Sequence, residues 1–258
     1  MDPAISFQDV SKRYGDGPPA LERVSLAVGA REFLAVVGGS GSGKTTLLRL
    51  INRLSDPSEG TVRVRGADVT DLDPIALRRG IGYVFQGIGL FPHLTVAENI
   101  AITPRLLGWE PPRRQARVGE LLELVRLDAG YAARLPNALS GGERQRVGVA
   151  RALAAQPDIV LMDEPFGALD PLTRDALGRD YRRMHDELGL TSVMITHDML
   201  EALLFADRIV VLQRGEMIAQ GPPADLMRHE HPYVRELMQT PRRQAERLTA
   251  FLDDRAPQ

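Results

Sequence analysis

The sequence contains no cysteine, which excludes a disulfide framework and any thiolate metal site and fits a reducing cytoplasm. A long apolar run is missing as well. The longest stretches, such as Phe33 to Val37 and Ile209 to Leu212, are strand-sized, far short of the roughly 18 residues a membrane-spanning helix needs. If the protein works at a membrane, another chain must supply the spanning segments. The opening Met1-Asp2-Pro3-Ala4-Ile5 has no basic flank and no apolar stretch, so no signal peptide is expected. An excess of one charge is also lacking. Lys and Arg total 32 against 34 Asp and Glu, so no global positive field points to nucleic acid. Arginine pairs such as Arg113-Arg114 and Arg242-Arg243 have carboxylates near them and read as solvated faces. No internal repeat or low-complexity tract is visible.

What is present is an ordinary globular balance, 43% hydrophobic and 26% charged. At 258 residues it allows one large α/β domain with room for a small appendage. Strand patterns come first: Ile5 to Phe7, Val24 to Val28, Phe33 to Val37, Thr61 to Arg65 and Ile81 to Phe85. From Leu94 to Leu127 the pattern is helical, with Leu121, Leu124 and Val125 on one face. Further on, the strands Ile159 to Met162 and Ser192 to Thr196 flank a helix from about Arg174 to Leu188. Its Leu177, Tyr181, Met184 and Leu188 recur as a stripe expected to be buried. Strands alternating with helices predict a parallel sheet covered on both faces. Gln213 to Glu216 reads as a hairpin turn, and Ala224 to Gln258 as short helices with a polar, frayed end.

Three places carry chemistry. Gly38-Gly39-Ser40-Gly41-Ser42-Gly43-Lys44-Thr45 fits G-x-x-x-x-G-K-[ST], follows an apolar strand and precedes the helical run from Thr46 to Leu54. Glycines let successive N–H groups turn inward toward phosphate oxygens, and the helix adds its positive end. Lys44 is placed to reach the β- and γ-phosphates, and the Thr45 hydroxyl to ligate Mg²⁺. This motif implies a nucleoside triphosphate and no more. Next, Ile159 to Glu164 reads as a buried strand ending in two acids. Asp163 suits the Mg²⁺ shell and Glu164 the attacking water, although two solvated acids at a strand end would look the same.

The third place, Leu139-Ser140-Gly141-Gly142-Glu143-Arg144-Gln145-Arg146, is a capping box of Ser140 with Glu143 at the start of a helix. Two glycines in its first turn cost about 1 kcal/mol each against alanine. That is tolerable where backbone must come close to something, such as a phosphate.

Leu139 to Arg146 resembles the signature motif of ABC-type ATPases, and the other marks of that family stand in order around it. Tyr14 resembles the aromatic residue that stacks on adenine. Gln86 resembles the glutamine that senses Mg²⁺ and the membrane subunit. Ala168-Leu169-Asp170 resembles the D-loop, and His197 the switch histidine. Glu143 stands where many members carry glutamine, and the capping role is expected to turn it away from a partner's phosphate. The likeness runs over roughly residues 4 to 225. It implies an α/β fold, an ABC-type P-loop ATPase domain with a RecA-like parallel sheet core, an antiparallel β subdomain and a helical subdomain at about 92–155. The domain would span 1–225 and a short helical extension 226–258.

The same resemblance implies ATP and Mg²⁺ as ligands and ATP hydrolysis as the activity. Glu164, His197 and Lys44 would be catalytic. Tyr14, Gly38, Gly39, Ser40, Gly41, Ser42, Gly43, Lys44, Thr45, Thr46, Gln86 and Asp170 would hold the nucleotide, and Thr45, Gln86 and Asp163 the metal. Ser140, Gly141 and Gly142 would act in trans on the ATP of a second copy, in a homodimer. A permease would dock near Gln86 to Leu94, at the cytoplasmic side of the inner membrane, with a substrate-binding protein in the assembled importer and no nucleic acid. Leu50 to Leu54, Asp71 to Pro74 and Ile88 to His93 resemble the ATPases of osmoprotectant importers for glycine betaine, choline and related quaternary amines. Similar stretches occur in amino-acid and other importers. A non-transport ABC ATPase is the rival, but such proteins carry two domains or a long coiled-coil insertion, and neither is seen here.

Overall fold

The computed structural model describes residues 2–253. Three five-residue strands form its centre: β3 (Phe33–Val37), β7 (Ile159–Asp163) and β8 (Thr191–Ile195), each buried along its whole length. Strands buried on both faces read as continuous apolar runs because helices or a second sheet cover each side. The other strands, in chain order, are β1 (Ile5–Lys12), β2 (Leu21–Val28), β4 (Glu59–Val64), β5 (Ala67–Asp68), β6 (Ile81–Val84), β9 (Arg208–Gln213) and β10 (Glu216–Gly221). The helices are α1 (Lys44–Ile51), α2 (Pro74–Arg79), α3 (Val96–Leu106), α4 (Pro111–Leu124), α5 (Gly141–Leu153), α6 (Pro171–Leu188), α7 (Met199–Phe205), α8 (Pro223–Leu226) and α9 (Pro232–Asp253).

Strands pair as two sheets, one in the order β2-β1-β4-β5 and the other β10-β9-β3-β8-β7-β6. The first is antiparallel; in the second only β10 runs against its neighbour. The period-two alternation of a strand divides the core in two. Phe33, Ala35 and Val37 face α3 to α7 and α9, whereas Leu34 and Val36 face α1 and the antiparallel sheet. Among the described residues no helix is long and apolar enough to cross a membrane.

The expected hairpin is β9–β10, turning through Arg214 and Gly215, both at positive φ as a two-residue turn requires. Several sequence expectations need correction. The stretch from Leu94 to Leu127 is helical as expected, but as two helices with a break from Leu107 to Glu110 and ends at Val96 and Leu124. Helix α6 starts at Pro171, because Asp170 caps it by accepting from the Thr173 N–H and proline is tolerated in a first turn. Its buried stripe holds Leu177, Tyr181 and Met184 but not Leu188, which is 46% exposed; His185 is buried in its place. The tail after Ala224 is not a set of short helices, since α9 alone runs 22 residues and passes through Pro241. The last part of the end expected to fray, residues 254–258, lies outside the described residues.

Candidate functional site

The loop between β3 and α1 is bent by its glycines. Gly43 precedes α1 at φ 102°, and a Cβ there would lie 2.3 Å from the Ala20 carbonyl oxygen, so only glycine fits. With glycine as its N-cap, α1 has no side-chain acceptor for its first amides. Helices α2, α3, α5, α6 and α7 are each capped by an Asp, Thr or Ser. Inside the loop, Lys44 is 8% exposed and its Nζ donates to the carbonyls of Gly38, at 2.8 Å, and Gly39, at 2.9 Å. Burial lowers the lysine pKa, and Glu164 and Asp163 oppose the shift. The Ser42 Oγ is buried without a hydrogen-bond partner. A buried hydroxyl beside open helix amides and a desolvated ammonium fits a polyanion such as a triphosphate chain.

Asp163 ends β7 beside the loop, hydrogen-bonded to the Thr45 hydroxyl and set behind the residues that line the cavity. Burial pushes its carboxyl above the usual range, and the neighbouring Glu164 adds to this. Glu164 turns at φ 46° and accepts from Gln86 Nε2 at 3.0 Å, while His197 Nδ1 lies 3.3 Å from the same carboxylate oxygen. His197 follows β8 and Gln86 follows β6, so the three side chains meet because their strands are neighbours, with β7 between the other two. Among the described residues no group of three His, Cys, Asp or Glu could cage a metal. Thr45 and Asp163 nonetheless offer the hydroxyl and carboxylate oxygens that Mg²⁺ takes when phosphates complete its shell.

The cavity, about 810 Å³, is lined by Tyr14 and by every residue from Gly38 to Thr46, with Gln86, Glu164 and His197. Tyr14 is 51% exposed, with the Lys12 ammonium 4.9 Å from its ring centroid. The structure does not bring the remaining candidates here. Ser140, Gly141 and Gly142 begin α5 and Asp170 caps α6, all outside this cavity. Glu143 caps α5, accepting from the Ser140 N–H at 2.6 Å and from the Tyr131 hydroxyl. Gly142 has a packing reason of its own, because a Cβ would sit 2.6 Å from Thr173 on α6.

Three contributors were missed by sequence reasoning. Arg174 joins the segments after β7 and β8, donating to the Leu169 carbonyl at 3.2 Å and to Asp198 at 2.9 Å. The hydroxyl of Tyr233 accepts from the Gly39 N–H, and Leu237 lines the cavity. No local pattern marks them. Only the third dimension brings α9 back to the loop.

A glycine-rich phosphate loop on a parallel sheet, with two acids at the end of β7, one strand removed from β3, defines the P-loop nucleotide-binding class. A family profile described as ABC transporter matches residues 21–167. The chain is 48% identical over 225 residues to the choline transport ATP-binding protein OpuBA of Bacillus subtilis, covering 87% of this chain and 59% of that one. It is 47% identical over 226 residues to the sulfate/thiosulfate import ATP-binding protein CysA of Mycobacterium tuberculosis, covering 88% and 63%. A solved dimeric structure of the ATP-binding cassette MJ0796, in a post-hydrolysis state bound to ADP and Pi, superposes with TM-score 0.76 at 37% identity. That match covers 84% of this chain and 98% of the other. The chain belongs to the ABC transporter ATP-binding family. It spans about three fifths of the length of the curated relatives it matches.

Proposed function

We propose that this chain binds ATP with Mg²⁺ in the loop cavity and hydrolyses it as one half of a homodimer that drives a separate membrane permease. The observation that carries the reading is the convergence of Gln86, Glu164 and His197 on one side of the cavity, with Lys44 and the partnerless Ser42 hydroxyl on the other. Lys44 and the first amides of α1 bind the phosphates. Mg²⁺, held by Thr45, Asp163 and Gln86, supplies charge neutralisation when bound. Glu164 orients a water and accepts its proton, and His197 holds Glu164 and reaches the γ-phosphate. γ-Phosphoryl transfer has a loose transition state, so such positioning is most of the catalysis. Tyr14 stacks on the base. Ser140, Gly141 and Gly142 act on the second copy's ATP, and Asp170 lies in the dimer seam.

The permease docks in the apolar groove formed by Phe85, Phe91 and Leu54, and this chain sits peripherally on the cytoplasmic face of the membrane. Residues 1–225 form the nucleotide-binding domain, with the helical subdomain at about 92–155. The cargo we propose is a small quaternary amine delivered by a binding protein, which the likeness to OpuBA supports. Near-equal identity to CysA favours a second reading, import of another solute, because the ATPase domain never touches the cargo. Uptake assays with the cognate permease test this directly. Choline or glycine betaine accumulating only with wild-type protein supports the first reading, and sulfate accumulating instead overturns it. Absence of MgATP-dependent phosphate release by the purified chain overturns the ATPase.

A further inference from the structure

The helix that follows the domain reaches back to the phosphate loop. The Tyr233 hydroxyl accepts a hydrogen bond from the Gly39 N–H at 2.9 Å, between residues 194 apart in sequence. One turn on, Leu237 lines the cavity that holds Lys44 and Thr45. The adjacent pair on α9, Val234 and Met238, is buried in the main core, and the helix packs on α7. Residues four apart share a face, so Val234 and Met238 anchor α9 while Tyr233 and Leu237 turn toward the loop. A tyrosine ring held by packing presents its hydroxyl at a fixed place with little entropy left to lose.

Gly39 is held from two sides. Its carbonyl accepts from Lys44 Nζ and from the Ser42 N–H, at 2.9 Å and 3.3 Å, while its own N–H points out to Tyr233. The phenol therefore fixes the first residue of the turn that carries the partnerless Ser42 hydroxyl. A glycine-rich loop has many alternative shapes, and affinity falls with the fraction of molecules in the competent one.

The geometry points to Tyr233 as a positioning residue of the nucleotide site, through which α9 braces the phosphate loop and nucleotide occupancy is linked to the seating of α9. This rests on the reading of the cavity as an ATP site. The hydrogen bond of the Tyr233 hydroxyl goes to the loop backbone and not to Glu164 or His197, so the brace acts on binding and not on the chemical step. Linkage is reciprocal: what steadies the loop for ATP is itself steadied by ATP.

The test is Tyr233→Phe in the full chain, which removes one oxygen and keeps the ring. MgATP binding is measured by calorimetry, phosphate release at steady state, and hydrogen exchange over residues 38–43 and 232–240. Loss of one hydrogen bond predicts that Kd and KM for MgATP rise about fivefold, with kcat at saturation within about twofold of wild type. Exchange over 38–43 rises in the nucleotide-free variant, and the protection that MgATP confers on 232–240 in the wild type is lost. A variant with wild-type Kd and wild-type loop exchange overturns the brace, and so does one that melts lower while KM stays put. If the wild-type chain binds no MgATP, the nucleotide reading falls and takes the brace with it. If the wild type binds and Tyr233→Phe binds equally well, only the brace falls.

Discussion

Neighbours on a strand point to opposite faces, so Asp163 and Glu164 could not both serve one cavity if β7 simply ran on. Glu164 leaves the strand at φ 46°, a left-handed conformation that costs a non-glycine residue on the order of 1 kcal/mol, and this turn brings its carboxylate to Gln86 and His197. Glu164→Gln keeps the shape but removes the proton acceptor. Turnover should fall by about 10²-fold or more while MgATP binding persists and a closed dimer accumulates, as read by phosphate release and size-exclusion chromatography. Hydrolysis at the wild-type rate would show that Glu164 does not accept the proton. Away from the site, His185 is 1% exposed, with Nδ1 2.9 Å from the Ser192 hydroxyl, and burial holds its pKa below the ordinary 6.5. A depressed folded pKa gives stability that is present above pH 6.5 and lost as pH falls through the folded value. Melting temperature should therefore decline on acidification from that point, and His185→Gln should blunt the decline. An unchanged profile would remove His185 as a source of acid sensitivity. Lys44, Asp163 and Glu164 were legible in the sequence because each belongs to a short motif. Tyr233 and Arg174 were not, since their partners lie in distant segments.

Among the elements, β3 and β7 were readable because strands buried on both faces favour apolar runs, and β8 from its Val193-Met194-Ile195 core. Helix α6 ends at Leu188 as the pattern predicts, but spacing finds a face and not where the covering structure stops, so Leu188 continues the period and lies in the open. The segment after β6 gives a finer case. Sequence alone left Ile88, Leu90 and Phe91 without core partners, yet Leu90 packs against the core and only Phe91, at 44%, is exposed. The Phe91 backbone is pinned on both sides by buried Asn99, whose Oδ1 accepts from its N–H at 2.8 Å and whose Nδ2 donates to its carbonyl at 3.1 Å. Changing that side chain should leave the segment in place. Phe91→Asp is expected to shift the melting temperature little and to preserve ATPase activity of the isolated chain. It should abolish copurification with the permease, by burying an unpaired charge in a desolvated groove. Unfolding would assign Phe91 to the core, and intact assembly would place the docking surface elsewhere.

At the scale of the whole molecule, the residues expected to meet ATP are divided between two surfaces. The loop, Glu164 and His197 share one cavity, while Ser140, at the exposed head of α5, lies outside it. In the proposed two-fold dimer each signature would face the other copy's loop, because such an interface is self-complementary. Ser140→Arg should block closure by placing a long side chain where phosphate must approach, yet leave ATP binding at Lys44 and Thr45 nearly unchanged. Ser140 also caps α5, and losing the cap costs about 1 kcal/mol, so folding is checked by melting temperature. Mixing this variant with Lys44→Ala distinguishes trans from cis action. In a hybrid dimer the Ser140→Arg subunit supplies an intact loop and the Lys44→Ala subunit an intact signature, which restores one site and leaves the other doubly broken. Random pairing makes about half the dimers hybrid, so the mixture should recover about a quarter of wild-type turnover if the two sites act independently. Each variant alone should show almost none. No recovery would mean that the sites fire only together or that both motifs act within one chain, and single-turnover assays on the purified hybrid separate these. Normal hydrolysis by Ser140→Arg homodimers would remove Ser140 from the site altogether.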